Sequence, residues 1–183
     1  MEGVRIYCEN TASALTVAQG TTLKEISAAS KDLPILAALV DNTLRSLNYK
    51  VFNPHNVRFI DYSHPDGRRT YIRSLCFVLQ KVVREMFPDK VLAIDYALPS
   101  GLYCEIREAH NMDDGRPCVC FVTDDEVAEI EGRIREIIAA DLPFGKKMMS
   151  IQDCCQIYES QHQTEKASLL KTIGRVKYNV YML

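Results

Sequence analysis

Between Arg69 and Asp89 the chain reads RTYIRSLCFVLQKVVREMFPD. Ile72, Leu75, Cys76, Leu79, Val82, Val83 and Met86 recur there at three- and four-residue spacing. That is the period of a helix with one buried stripe, and the Phe87-Pro88-Asp89 sequence gives it a sharp stop. At about 100° per residue, Phe77 falls on the opposite side, with Arg73, Gln80 and Arg84. The fold must therefore bury one face of this helix and find a use for an aromatic ring and two guanidinium groups on the other.

The 183 residues suffice for one medium domain or two small ones. A chain of this length buries enough surface to need no disulfide staple. Hydrophobic residues make up 47% and charged residues 25%, the mix of a soluble globular protein. The net charge of -2 argues against broad nucleic-acid or membrane-surface binding but leaves room for a local basic patch. No apolar run approaches the ~18 residues of a membrane span. The opening MEGVRIYCEN lacks the basic start and apolar core of a signal peptide. Seven cysteines without framework spacing then read as reduced thiols in the cytoplasm.

The first sixty or so residues alternate between strands and one helix. Val4 to Cys8 and Ala14 to Gln19 read as strands around the polar turn ENTAS. Gly20 leads into the helix TTLKEISAAS, capped by Thr21 or Thr22, with Leu23 and Ile26 inward. Ile35 to Val40 is a third strand, ended by an Asp41-Asn42 turn, and Val57 to Ser63 a last one. The order β-β-α-β-β predicts a helix crossing a small mixed sheet, the ubiquitin-like β-grasp arrangement.

The turn HPDGRR, His64 to Arg69, marks the expected boundary between a domain at 1–63 and a second at 64–183. Beyond the helix, Val91 to Leu98 and Gly101 to Glu108 are strands joined at Pro99-Ser100, and Cys118 to Val122 is a short apolar strand. Thr123 to Glu126 has the capping-box pattern, opening a helix with Val127, Ile130, Ile134, Ile137 and Ile138 inward. It ends at Asp141 to Phe144. SIQD starts another helix, and TEKASLLKTI a further one with Gly174 at its end. The closing VKYNVYML alternates as a strand. The absence of a polar tail after it suggests a chain cut from something longer. The overall expectation is an α+β protein of two domains.

Two parts of the sequence resemble known families. Gly20-Thr21-Thr22 before the helix, Ala37-Ala38 with Val40, the Asp41-Asn42 turn and the closing VRFID resemble a TGS domain, a β-grasp module. REMFPD, GLYCEI and DDEVAEIEGRIREIIAADLPF are similar, in that order, to the second N-terminal (N2, editing) domain of threonyl-tRNA synthetase. The combination PDGRRTYIRSLCFVLQKV resembles a narrower group, bacterial uridine-kinase-like nucleoside kinases with these two domains ahead of a P-loop domain. That resemblance implies a non-catalytic N-terminal regulatory or ligand-sensing region. It also implies ATP and Mg for a C-terminal P-loop kinase domain beyond Leu183, which would be this chain's partner. In the synthetase family the helix carries an HxxxH pair that helps hydrolyse mischarged tRNA. Counting back from the shared Phe-Pro puts Arg73 and Phe77 at those positions. The family's later CxxxH motif is also missing, so a tRNA-editing hydrolase is disfavoured.

No G-x-x-x-x-G-K-[ST] phosphate loop occurs, and Gly145-Lys146-Lys147 is the nearest approach. Cys118 with Cys120, and Cys154 with Cys155, read as small buried hydrophobes rather than zinc ligands. Asp95, Glu105 and Glu108 read as solvated carboxylates with no nucleophile beside them. No catalytic residue and no metal site is expected, and this chain itself is expected to hold no cofactor. The candidate ligand or RNA site is Arg69, Arg73, Phe77 and Arg84, because guanidinium beside an aromatic can hold a phosphate or stack a base. An exposed Phe77 would also suit docking against another surface. The alternative function is therefore an RNA- or tRNA-binding module.

Overall fold

A computed structural model describes residues 3–28, 34–108, 118–161, 163–174 and 176–183, leaving aside the side chains of residues 164 and 165. The chain forms two compact units, Met1–Leu75 and Cys76–Leu183. The fold is α+β.

In the first unit, strands β1 (Gly3–Cys8), β2 (Ser13–Ala18), β3 (Ala37–Val40), β4 (Thr43–Arg45) and β5 (His55–Ile60) form one sheet in the order β2-β1-β5-β3-β4. β1 and β5 run parallel and the other pairs antiparallel. With helix α1 (Leu23–Ser27) crossing between β2 and β3, this is the β-grasp arrangement. β1 alternates strictly, so Val4, Ile6 and Cys8 enter the core with Leu23, Ile26, Val51 and Val57. Thr22 caps α1. Its hydroxyl accepts from the Glu25 N–H at 3.3 Å, and the Glu25 carboxylate accepts from the Thr22 N–H at 2.7 Å. The expected continuation of this helix through Ala29 and Ser30 lies outside the described residues.

β4 is absent from the sequence expectation. Asp41 and Asn42 both have positive φ, 46° and 62°, and make a two-residue hairpin whose twist matches the strands it joins. Asp41 also holds the adjoining β5. Its carboxylate accepts from the Asn56 N–H at 2.9 Å and lies 2.6 Å from His55 Nδ1. The Asn56 N–H, then the His55 ring, keep this carboxyl below the ordinary aspartate value.

α2 (Pro65–Met86) starts earlier than expected, and the predicted HPDGRR turn is in fact its entry. Pro65 suits a first helical position, where no N–H is needed, and the Asp66 N–H finds His64 Nδ1 at 3.2 Å. Gly67 is required here for space. A Cβ at this position would stand 1.8 Å from the Asp61 carbonyl oxygen.

In the second unit, β6 (Lys90–Leu98) and β7 (Gly101–Glu108) form a hairpin with a bulge between Ile94 and Tyr96. The expected strand at Cys118 to Val122 is reduced to one bridge, Val119 to Arg107, with backbone bonds from Glu108 and to Ile106 on either side. α3 (Asp124–Ala139) opens with the Thr123–Glu126 capping box. Val82 and Val83 of α2, Ile106 of β7 and Ile130 of α3 close the core of this unit. Val78 is buried as well, although it stands outside the stripe read from spacing. β8 (Gly145–Ser150), also unexpected, pairs antiparallel with β9 (Lys177–Met182). Helices α4 (Ile151–Ser160) and α5 (Thr164–Thr172) lie between them in sequence. Gly174, at φ +53°, ends α5 as anticipated for a left-handed cap position. No described helix is long and apolar enough to cross a membrane.

Two outcomes follow for the first unit. Gly67→Ala should destabilise it by roughly 1–3 kcal/mol in urea unfolding, because a backbone oxygen cannot rotate away as a side chain could. An unchanged midpoint would mean that α2 does not start against Asp61. Asp41 titrates lower in the folded than in the unfolded chain, so its contribution is complete above the unfolded aspartate pKa and is lost as pH falls through the folded value. Asp41→Asn should therefore flatten the acid limb of a stability-versus-pH curve below about pH 4.

Candidate functional site

The second unit contains a cleft of about 340 Å³. Phe77, Gln80, Lys81 and Arg84 of α2 form one wall, and Cys154, Ile157, Tyr158 and Gln161 of the α4 segment face it. Gln163 and Lys166 of the α5 segment and Val180 to Leu183 of the β9 end complete it. The α2 residues share a side because they recur at three- and four-residue spacing. α4 is set by Ser150, whose hydroxyl accepts from the Asp153 N–H at 3.1 Å. The adjacent thiols Cys154 and Cys155 are both buried, and Cys155 Sγ donates to the Ala167 carbonyl at 3.6 Å, tying α4 to α5. Lys171 and Glu159 add an ion pair at 2.9 Å between the same two helices.

Among the described residues the lining holds three cationic side chains, Lys81, Arg84 and Lys166, and no Asp or Glu side chain. Lys81 is paired with Glu85 at 2.6 Å. Lys166 is exposed as a whole, yet partial desolvation holds its ammonium below the ordinary lysine value. Burial raises the Tyr158 phenol above its usual value, keeping it neutral. Gln163 Oε1 is buried without a hydrogen-bond partner among the described residues. The cleft can therefore attract an anion, lie against a planar ring and accept one further hydrogen bond.

Of the four candidates read from sequence, two line this cleft. Arg84 stands exposed at its wall. Phe77 also lines it but is half-buried, with its ring 5.5 Å from that of Phe144. The expectation of an exposed Phe77 available for docking is thus corrected, since a partner from its own unit covers part of the ring. Arg69 and Arg73 belong to the stretch of α2 in the first unit and do not line the cleft. Arg69 pairs with Asp66 at 3.0 Å, and Arg73 is exposed. Tyr158, Gln163 and Lys166 carried no sequence signal, because only packing brings α4 and α5 to α2.

The other groups considered have structural partners. Arg107 bridges Asp95 and Glu105, and the Tyr103 hydroxyl donates to Glu105 at 2.8 Å. The Tyr103 hydroxyl, then Arg107, hold the Glu105 carboxyl low. These strand carboxylates are paired rather than simply solvated. Cys120 lies 3.2 Å from a Glu108 oxygen, and burial pushes its thiol up. Among the described residues no three His, Cys, Asp or Glu side chains are grouped to hold a metal ion.

A β-grasp unit followed by an α+β unit built on the REMFPD helix is the arrangement expected of a TGS domain and an N2-like domain. Comparison with curated proteins is consistent with it. The chain is similar to the threonine–tRNA ligase of Syntrophomonas wolfei, 24% identical over 138 residues, which are 75% of this chain and 20% of the ligase. The ligase of Desulforamulus reducens is 26% identical over 156 residues, 84% of this chain and 23% of the ligase. That of Pelobacter propionicus is 21% identical over 168 residues, 90% of this chain and 25% of the ligase. The similarity thus covers most of this chain but a quarter or less of each relative. No protein-family model matches the chain.

Phe77→Ala should destabilise the second unit by roughly 1–2 kcal/mol, less than a fully buried phenylalanine because its ring is only half covered. Thermal unfolding of the full chain checks this. A variant as stable as the parent would show that the Phe144 contact does not hold the wall.

Proposed function

We propose that the chain is a non-hydrolytic RNA- or tRNA-binding module, acting in the cytoplasm as part of a longer protein. In this reading, residues 1–63 form the TGS-like domain and 64–183 the synthetase N2-like domain. One observation carries it. The helix positions that match the synthetase's histidine pair hold Arg73 and Phe77, and the second-unit cleft that Phe77 lines carries, among the described residues, cations and aromatic rings and no Asp or Glu side chain. Arginine cannot serve as a base near neutral pH and phenylalanine carries no proton, so hydrolysis lacks its groups. Binding loses none of its own. Arg84, with Lys81 and Lys166, would meet phosphate in the second unit. Arg69 and Arg73 would meet it separately, on the first unit's part of α2.

The similarity to threonine–tRNA ligases supports a tRNA-related role. The second reading, a regulatory region attached to an ATP- and Mg-dependent nucleoside kinase domain, rests on PDGRRTYIRSLCF alone. A G-x-x-x-x-G-K-[ST] segment in the same reading frame after Leu183 would decide for it.

Titration of the full chain with a tRNA at low salt tests the main reading. Affinity should fall with salt at a log–log slope of about −0.7 per neutralised phosphate of a single strand. Three cleft cations give about −2, and Arg84→Ala should make the slope shallower by about 0.7. The same protein should not deacylate mischarged tRNA above the buffer rate. Absence of binding at low salt overturns the proposal.

A further inference from the structure

We infer that the outer edge of β7, at Gly101 to Glu105, is an interface between two copies of this chain. The copies join antiparallel about a two-fold axis at Tyr103, so that two β6–β7 hairpins become one four-stranded sheet. The inference concerns the second unit alone and does not depend on RNA binding.

The open edge is read from the backbone. The Glu108 N–H donates to the Cys118 carbonyl at 2.9 Å, and the Ile106 carbonyl accepts from the Cys120 N–H at 2.8 Å, both on the side of β7 away from β6. Backbone groups alternate along a strand, so those of Leu102 and Cys104 point the same way. Among the described residues no other backbone group meets them there. The Leu102 carbonyl has only the Cys104 thiol, 3.8 Å away. The segment that covers Ile106 does not run on beside β7, and its next residue, Phe121, is fully exposed. Ile94, Tyr96, Leu98 and Leu102 of the same hairpin are exposed as well. An unpaired edge amid apolar side chains is a template for another strand.

Charge and side-chain order select a second copy as the occupant. From Tyr96 to Cys104 the chain carries no charged residue, and the flanking Asp95 and Glu105 are both held by Arg107. Such an edge offers a charged foreign strand nothing to pair with, while two copies meet without the like-charge opposition that keeps many edges apart. With the two-fold axis at Tyr103, Leu102 lies opposite Cys104 of the second copy, and the reverse, which closes four N–H···O=C bonds. Glu105 then falls opposite Gly101, where even a Cβ would have open space, so the Arg107 ion pairs are not crowded. Tyr103 faces its own counterpart, in a pair whose Cα atoms stand about 4.5 Å apart. Within one hairpin Tyr96 and Tyr103 already stack, with ring centroids 4.8 Å apart and planes at 12°. Two copies extend this stack into a row of four rings. A foreign strand continues the row only with an aromatic residue at that register, and a second copy has one.

So short an edge is a small interface and should associate weakly, so the full chain is followed by sedimentation equilibrium from about 1 μM to about 1 mM. The mass should rise from 20.8 kDa toward twice that value. Over the same range the amide protons of Leu102 and Cys104 should come to exchange at least about tenfold more slowly, while those of β1 in the first unit should not change. Tyr103→Lys and Tyr103→Glu each set like charges across the axis and should each weaken association at least about tenfold. An equimolar mixture of the two variants should restore it, because opposite charges then face each other. A mass that stays at 20.8 kDa up to about 1 mM overturns the inference. So does a dimer in which neither amide gains protection, or one that both Tyr103 variants leave intact. Far-UV dichroism shows whether each variant keeps its fold, and if one does not, exchange in the unsubstituted chain decides.

Discussion

The closest constraint in the fold is the meeting of Gly67 with the Asp61 carbonyl, where any side chain would collide with backbone. The chain leaves β5 at Ile60 and enters α2 at Pro65, so it must turn within four residues. Asp61 organises that turn by accepting from the Ser63 N–H and hydroxyl, at 3.0 and 2.6 Å. Pro65 then supplies a φ already suited to a helix. Within the second unit's own stretch of α2, the 3.6-residue period sorts side chains between two faces. Val82 and Val83 fall on the core side of the second unit, while Phe77, Gln80 and Arg84 fall on the wall of the cleft.

Ion pairing elsewhere explains how a slightly acidic chain presents a cationic cleft. Net charge is a sum over the surface and says little about any one concavity. Glu131 with Arg135, and Glu136 with Arg133, are taken up in pairs along α3, and Glu159 is taken up by Lys171. Arg107 likewise engages Asp95 and Glu105 on the β6–β7 hairpin. Apart from Glu85, which pairs with Lys81 of the lining, these carboxylates find their partners among residues that do not line the cleft. Such exposed pairs add little stability individually. Their consequence for the cleft is where they leave the negative charge.

What was legible in the sequence followed from local rules. β1 alternates because one of its faces is wet. The boxes at Thr22 and Thr123 are visible as Thr-x-x-Glu, and Gly174 marks a helix end because it alone tolerates that φ cheaply. Illegible features needed a distant partner. GKKMMS has two lysines and no β-branched residue, and it becomes β8 because β9 pairs along its whole length. CVCFV has the better strand composition yet makes only one bridge, so propensity was outweighed by the available edge. Helical phase correctly separated Phe77 from the main stripe but could not show Phe144 covering part of it. The candidate site was half legible for the same reason: α2 could be read alone, whereas Tyr158, Gln163 and Lys166 arrive with α4 and α5.

Among the described residues, the cleft lining contains no histidine. Cys154 is the one thiol in its lining, but it is buried, and burial together with the neighbouring Cys155 and Asp153 pushes it toward the unreactive protonated form. Tyr158 is held neutral by burial in the same way. Among the described lining side chains, a guanidinium is no base and glutamine does not titrate, so neither takes a proton from an attacking water. Those same donors would hold a phosphate with directed, charge-assisted hydrogen bonds. In the described lining, charge and donor groups therefore favour holding an anion over taking up a proton.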